Sequence, residues 1–395
     1  MMCLRAAMLV LAALPLAGCA VQYGRVPHSE YVKESRCSPG ADEAAPDPAL
    51  LPLFFVTSRL PDCRDALVRM LHHRGDKVRY GRLAPPAKVD GKTPVPLTVM
   101  ADSLWWQELA AAGARGDGRV LVYVHGYRET FASVARDTAQ IGRMTGFDGP
   151  VIGYHWPSQG KAIAYATDET NMYWDQLNFR TFLKQLAEQP WAEDITIVSH
   201  SLGARLVLPG IEHVDANSRD SDARNISNII LASPDIDRED FEREVKNQLL
   251  TDAKILRERR IHIYVSSSDR ALALSRQVHG YPRLGSPFCF NPKDPQALRL
   301  PDEEPRCYPG SGGVLSRPEQ AGLVIIDTSD VTRGASGHSN YLNSAAACRD
   351  FVAVVGGART APRRTPVPGL GHVFRLTPDP AEPKPDHDAV CARVK

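Results

Sequence analysis

Ile195-Thr196-Ile197-Val198 running into Ser199-His200-Ser201-Leu202-Gly203 is the stretch on which the fold turns. A short apolar run rich in β-branched residues reads as a buried strand. The five residues after it read as a sharp turn with a serine at its apex, and Ala204-Arg205-Leu206-Val207 reads as the start of a helix. A serine at such a turn sits on strained backbone with its hydroxyl above the sheet, and the close approach of helix to strand demands small residues two before and two after it. Ser199 and Gly203 meet that demand, although Ser199 stands where glycine is usual. Ser201 therefore reads as a nucleophile, against the plainer alternative of a helix N-cap.

Outward from this turn the chain alternates. Apolar runs at 119–125, 151–156, 195–198, 227–232, 262–266 and 322–327 predict strands, preceded by a first strand at 51–57. Short extended segments at 79–82 and 94–100 are expected at an edge of the same sheet. Helices are predicted over 131–144, 167–188, 238–256, 271–278 and 340–355, besides the one that follows Ser201. Short continuous apolar strands separated by helices predict an α/β fold, a mainly parallel central sheet with helices on both faces. Active groups in such sheets lie at the carboxyl ends of the strands, so the loops just after each strand are where chemistry is sought.

Serine at its free pKa is a poor nucleophile and needs a base, which in turn needs an orienting acid; in this kind of fold they follow the serine in the order acid, then histidine. After Ser201 the histidines are His213, His262, His279, His338, His372 and His387. His338, in Ser336-Gly337-His338-Ser339 between the last core strand and the terminal helix, has the position expected of the base, with His279 as runner-up. Asp269 closes Ser266-Ser267-Ser268-Asp269 just after the strand at 262–266 and is the favoured acid. Asp235, one strand earlier, is the alternative, unless it or Asp237 merely caps the next helix. The oxyanion of a tetrahedral intermediate needs donors aimed at it. The backbone N–H groups of Leu202, beside the nucleophile, and of Tyr127, in His125-Gly126-Tyr127 after the strand at 119–125, are the candidates. His125 and His200 read as packing or orienting residues. Tyr165, Met172, Tyr173 and Trp174 form either a small lid or the packed face of a helix, and packing is favoured.

The stretches VLVYVHGYRETF, GFDGPVIGYHWPSQG, ITIVSHSLGARLVL, NIILASPDID, IYVSSSDRALALS and GHSNYLNS, with FFVTSR upstream, resemble the α/β-hydrolase fold and within it the bacterial branch known as domain of unknown function 900. The resemblance implies Ser201, Asp269 and His338 as a triad and makes Trp156-Pro157-Ser158 part of a pocket rim, with packing as the other role for Trp156. It leaves the substrate open. The expected activity is hydrolysis of a carboxylic ester through an acyl-enzyme, with no metal or organic cofactor. Acyl transfer on the same triad and a non-catalytic envelope lipoprotein of the same fold are the alternatives.

The chain's ends carry other information. Arg5, an apolar run over 6–16 and the small residues before Cys19 read as a signal peptide over 1–18; its ending, Leu16-Ala17-Gly18-Cys19, resembles a bacterial lipobox, which implies diacylation of Cys19, the alternative being an ordinary secretory signal whose cysteine is incidental. A tether at 19–48, a hydrolase domain at 49–355 and a Pro/Arg-rich tail at 356–395, with one possible strand at 372–376, complete the expected organisation. Lipoprotein analogy, with Ala20 after the cysteine, suggests the periplasmic face of an outer membrane. Apart from Cys3 in the signal and Cys19 at the anchor, the cysteines are Cys37, Cys63, Cys289, Cys307, Cys348 and Cys391, an even number that suggests disulfides in an exported chain. Sequential pairing, 37 with 63, 289 with 307 and 348 with 391, is expected. No Cys-x-x-Cys or His-x-x-x-His spacing points to metal. A net charge of +1, with both signs mixed along 395 residues, argues against nucleic acid as a partner; the hydrolase reading implies a small-molecule or lipid ester, and the lipid anchor a membrane.

Overall fold

The computed structural model describes residues 52–62, 68–84, 96–217, 225–244, 259–288, 307–309, 322–358, 361 and 363–378. In chain order they form β1 (Leu53–Asp62), β2 (Arg69–Leu83), β3 (Leu97–Met100), α1 (Asp102–Arg115), β4 (Arg119–Val124), α2 (Phe131–Thr145), β5 (Val151–His155), α3 (Tyr165–Ala187), β6 (Asp194–His200), α4 (Ala204–Asn217), β7 (Ile226–Ala232), α5 (Arg238–Glu244), β8 (Arg260–Val265), α6 (Arg270–His279), β9 (Leu323–Asp327), α7 (Asn340–Asn343), α8 (Ala345–Val355), β10 (Arg364–Val367) and β11 (Leu370–Leu376). The strands make one sheet in the order β10-β11-β9-β8-β7-β6-β4-β5-β1-β2-β3. From β11 to β1 every neighbour pair is parallel. The outer pairs β1–β2, β2–β3 and β10–β11 are antiparallel.

Alternation along β4 after Arg119 shows why Val120 to Val124 had to be core residues. Val120, Val122 and Val124 face one layer with Trp105 and Leu109 of α1, Phe179 and Leu183 of α3, and Leu206 and Ile211 of α4. Leu121 and Tyr123 face the other, with Val134 and Ile141 of α2 and Phe351 and Val354 of α8. A central parallel strand is covered on both sides, so each of its positions is a core position, and each buried aliphatic side chain contributes about 1.5–3 kcal/mol.

Several boundaries differ from the sequence expectation. Helix α1 has no counterpart in it. The segment expected at 79–82 is part of the long strand β2, and the helix expected over 340–355 breaks at Ser344, whose extended backbone and side-chain cap on Ala347 N–H start a new helix. Of the helix expected over 238–256, only Arg238–Glu244 falls among the described residues. The tail boundary at 355 also moves: β10 and β11 join the main sheet, β11 pairing in parallel with β9, so the sheet runs to Leu376. The register of β1 on β2 slips on either side of Arg59. Such a bulge re-aims a side chain, and the Arg59 guanidinium is fully buried behind the carboxyl ends of the strands.

Candidate active site

The turn after β6 has the strain the sequence calls for. Ser201 sits at φ +53, a region a non-glycine residue occupies only where its surroundings hold it. A single 3₁₀ turn, Ser201–Gly203, leads straight into α4. A Cβ at Gly203 would lie 2.6 Å from His125 O and 2.8 Å from Val124 O, both backbone atoms that cannot swing away. Small residues are thus imposed by the contact between helix and strand. Ser199 is buried with no partner for its hydroxyl, so its fitness here is size alone. Across the turn, Ser201 O accepts a hydrogen bond from Asp235 N–H at 3.0 Å.

His338 and Asp269 come from loops after neighbouring strands and meet. His338 Nδ1 lies 2.7 Å from Asp269 Oδ2, with the carboxylate wholly buried and the imidazole partly open. The other carboxylate oxygen caps α6 by accepting Leu272 N–H at 3.0 Å. One buried acid therefore holds a histidine and starts a helix at once. The two loops are locked together, since Arg270 N–H donates to Ser336 O at 2.9 Å and Gly337, at φ +65, packs so closely that a Cβ would meet Ser268 O at 2.7 Å. His338 is tied to the elbow through His200, the residue before Ser201. The two rings are 4.7 Å apart, and His200 Nε2 lies 3.1 Å from His338 O. Burial pushes the His200 imidazole down to about 3, so it is neutral at working pH and its Nε2–H can donate to that carbonyl.

Asp235 has a different set of partners from the acid role considered for it. Its carboxylate accepts from Arg283 Nε at 2.8 Å, Ser275 Oγ at 2.6 Å and Tyr165 Oη at 2.6 Å, while Arg205 Nε and Arg283 Nη2 donate to its backbone carbonyl. Burial raises its pKa, but the two guanidiniums outweigh burial and hold the carboxyl below its ordinary value. This network fixes the turn behind the elbow. Asp237 caps α5, accepting from Glu239 N–H at 2.8 Å. His279 belongs to the same network as Asp235, with Nε2 3.2 Å from Glu169 Oε1 and Nδ1 2.8 Å from Ser275 O.

The loop after β4 crosses the elbow. A Cβ at Gly126 would lie 2.8 Å from Ser201 Cβ, so the backbone passes directly over the serine. His125 is fully buried and stacks on Trp156 with centroids 4.7 Å apart; its two ring nitrogens face Gly126 O and Trp156 O, and Trp156 Nε1 donates to His125 O. Burial takes its pKa down to about 3. Both residues are packing elements, and the rim role fails for Trp156 because its side chain is wholly buried. The Tyr127 ring lies edge-on to Tyr165 at 5.2 Å and its hydroxyl donates to Ala162 O.

Sequence reasoning missed what stands behind that loop. Arg59 Nη2 donates to Glu129 O at 3.0 Å. Asp168 accepts from Arg128 N–H, Ser158 Oγ and Gln159 N–H, and Ser158 Oγ accepts from Glu129 N–H. Burial lowers the Arg59 pKa only to about 10, so it remains a cation. The arginine was visible at the end of FFVTSR, but its inward aim follows from the bulge, which no local residue type announces.

The remaining candidates divide plainly. Met172 is core, Tyr173 and Trp174 are exposed on α3, and Arg74 lies over the Trp174 ring at 4.9 Å. His262 and His372 are buried, and His213 pairs with Asn217 on α4. Cys307 and Cys348 are disulfide-bonded. Cys19, Cys37, Cys63, Cys289, Cys391 and His387, like the signal and tether segments, lie outside the described residues. Among the described residues no group of three His, Cys, Asp or Glu is arranged to hold a metal ion, and no helix is long and apolar enough to cross a membrane.

Residues 107–298 match a family described as an alpha/beta hydrolase of unknown function, domain of unknown function 900. The match takes in the elbow and Asp269 and ends before His338. No curated protein and no solved structure matches the chain.

Proposed function

We propose that this chain, whose residues 107–298 belong to that alpha/beta-hydrolase family, is a serine hydrolase that cleaves a carboxylic ester through an acyl-enzyme on Ser201. The observation that carries the reading is the 2.7 Å contact of His338 with the buried Asp269, on a loop joined through His200 to a serine at φ +53. Asp269 accepts the Nδ1–H of His338, which leaves Nε2 as the basic nitrogen. That nitrogen takes the Ser201 proton as Oγ bonds to the ester carbon, then returns it to the departing alcohol as the C–O bond breaks. Water repeats the sequence, and its proton passes through His338 to Ser201 when the acid leaves. The N–H groups of Leu202 and Tyr127 hold the negative oxygen in both halves; losing one such donor typically lowers the rate about 10²–10³-fold.

The reading extends to the chain's ends. Diacylated Cys19 anchors the protein to the periplasmic face of a bacterial outer membrane, and disulfides 37–63, 289–307 and 348–391 staple loops to the body. The test of the chemistry is labelling by a fluorophosphonate probe. The intact protein is expected to be labelled and Ser201→Ala, with an unchanged melting temperature, to be silent. Equal labelling of both proteins refutes the assignment.

A further inference from the structure

Resting on the hydrolase reading above, we infer that Asp168 is a positioning residue that sets the oxyanion-binding loop from behind. The loop between β4 and α2 contains a residue, Arg128, at φ +66, a conformation that an L residue resists unless it is held. Its N–H donates to Asp168 Oδ2 at 3.0 Å. The next N–H, that of Glu129, donates to Ser158 Oγ at 2.9 Å, and Ser158 Oγ donates to the same Asp168 oxygen at 2.6 Å. Asp168 Oδ1 takes Gln159 N–H at 2.6 Å. The carboxylate is fully buried, and these donors come from two loops. It is thus a clamp that joins the turn after β4 to the turn after β5.

Arg59 closes the clamp from the third side through Glu129 O. The residue that precedes Arg128 is Tyr127, whose N–H is the proposed oxyanion donor, and the one before that is Gly126, packed on Ser201 Cβ. A loop pinned at Gly126 by contact and at Arg128–Glu129 by hydrogen bonds has its middle N–H direction fixed before substrate arrives. Preorganisation of this kind lowers the barrier to the charged transition state more than it affects ground-state binding. Asp168 touches neither the substrate nor the nucleophile in this scheme. Its consequence is therefore a loss in the bond-forming step with little change in KM.

The experiment measures the second-order rate of fluorophosphonate labelling of the whole chain. In that reaction Ser201 Oγ bonds to phosphorus, fluoride leaves, His338 takes the serine proton, and the phosphoryl oxygen occupies the site where the ester oxyanion forms. Asp168→Asn keeps the volume but presents an amide to donors that need an acceptor. Labelling is expected to slow about 10²-fold, with the midpoint of its pH profile unmoved because His338 and Asp269 are untouched. KM for a nitrophenyl ester should change less than about threefold while kcat falls with the labelling rate. Ser158→Ala, which removes one strut and leaves the carboxylate, should slow labelling about tenfold and remains informative if Asp168→Asn does not fold. A wild-type protein that is not labelled sinks the hydrolase reading itself. A labelled wild type with variants that melt lower but react at the wild-type rate below their melting temperatures overturns the positioning role alone, as does a shifted pH midpoint.

Discussion

Replacing Asp269 by asparagine separates the two functions this side chain performs. One oxygen contacts His338 Nδ1 at 2.7 Å and the other caps α6 through Leu272 N–H at 3.0 Å. Asparagine caps a helix about as well as aspartate, so in the Asp269→Asn variant the amide oxygen can keep the cap. The amide nitrogen then faces the histidine and donates to Nδ1, which forces the proton onto Nε2, where the serine proton must go. A tautomer set wrongly in this way lowers kcat by about 10⁴-fold, and four decades at about 1.36 kcal/mol each amount to about 5.4 kcal/mol of transition-state stabilisation. Asp269→Ala loses the same chemistry and the cap, so it should also lose about 1 kcal/mol of stability. Initial rates on nitrophenyl esters of graded chain length, beside urea melts of both variants, make the measurement. Asp269→Asn with kcat within about tenfold of the wild type, or with a stability loss equal to that of the alanine variant, refutes the division of labour argued here.

Two further outcomes follow from buried charge. The His262 imidazole, whose ring nitrogens have no partner, is taken by burial from its ordinary 6.5 down to about 3; between those values the unfolded chain binds a proton that the folded chain refuses, so its contribution to stability is complete above 6.5 and lost on acidification. At about pH 5 this amounts to about 2 kcal/mol, and His262→Leu should flatten the fall in urea midpoint from neutral to that pH by the same amount, whereas an unchanged slope counts against it. Asp235→Ala strands the buried Arg205 and Arg283 side chains and should lower stability by about 3–5 kcal/mol; a variant that is inactive yet melts like the wild type would restore Asp235 as the catalytic acid.

What was legible in the sequence and what was not divides along physical lines. The parallel core was legible because a strand covered on both faces must be apolar at every position, as in Val120 to Val124, and the elbow because the positions two before and two after Ser201 must be small. His338 and Asp269 could be singled out because they stand in loops after successive strands, and the structure brings their side chains to 2.7 Å. Helix α1 was harder to see: its buried residues are Trp105, Leu109, Ala112 and Gly113, two of them too small to mark an apolar stripe. The clamp at Asp168 was invisible for another reason. Its donors are mostly backbone N–H groups, which every residue except proline carries, so no side-chain pattern signals them. Asp235 drew attention by its position at a strand end, yet its bonds with Arg205 and Arg283 depend on where the chain brings those arginines in space, which no local pattern shows.

The pairing of β11 with β9 has a bearing on how the molecule is made. All the other parallel strands are complete by Asp327, but among the described residues the strand that pairs with the outer flank of β9 is β11, which is synthesised last. Until then Leu323-Val324-Ile325-Ile326 offers a bare template to any passing chain. Arg364, gripping the buried Asp350 through two hydrogen bonds, fastens the hairpin down once it arrives. A polypeptide truncated after α8 would keep all of the proposed catalytic groups but lose these contacts, and light scattering of that variant beside the full chain checks whether the bared strand edge makes it self-associate.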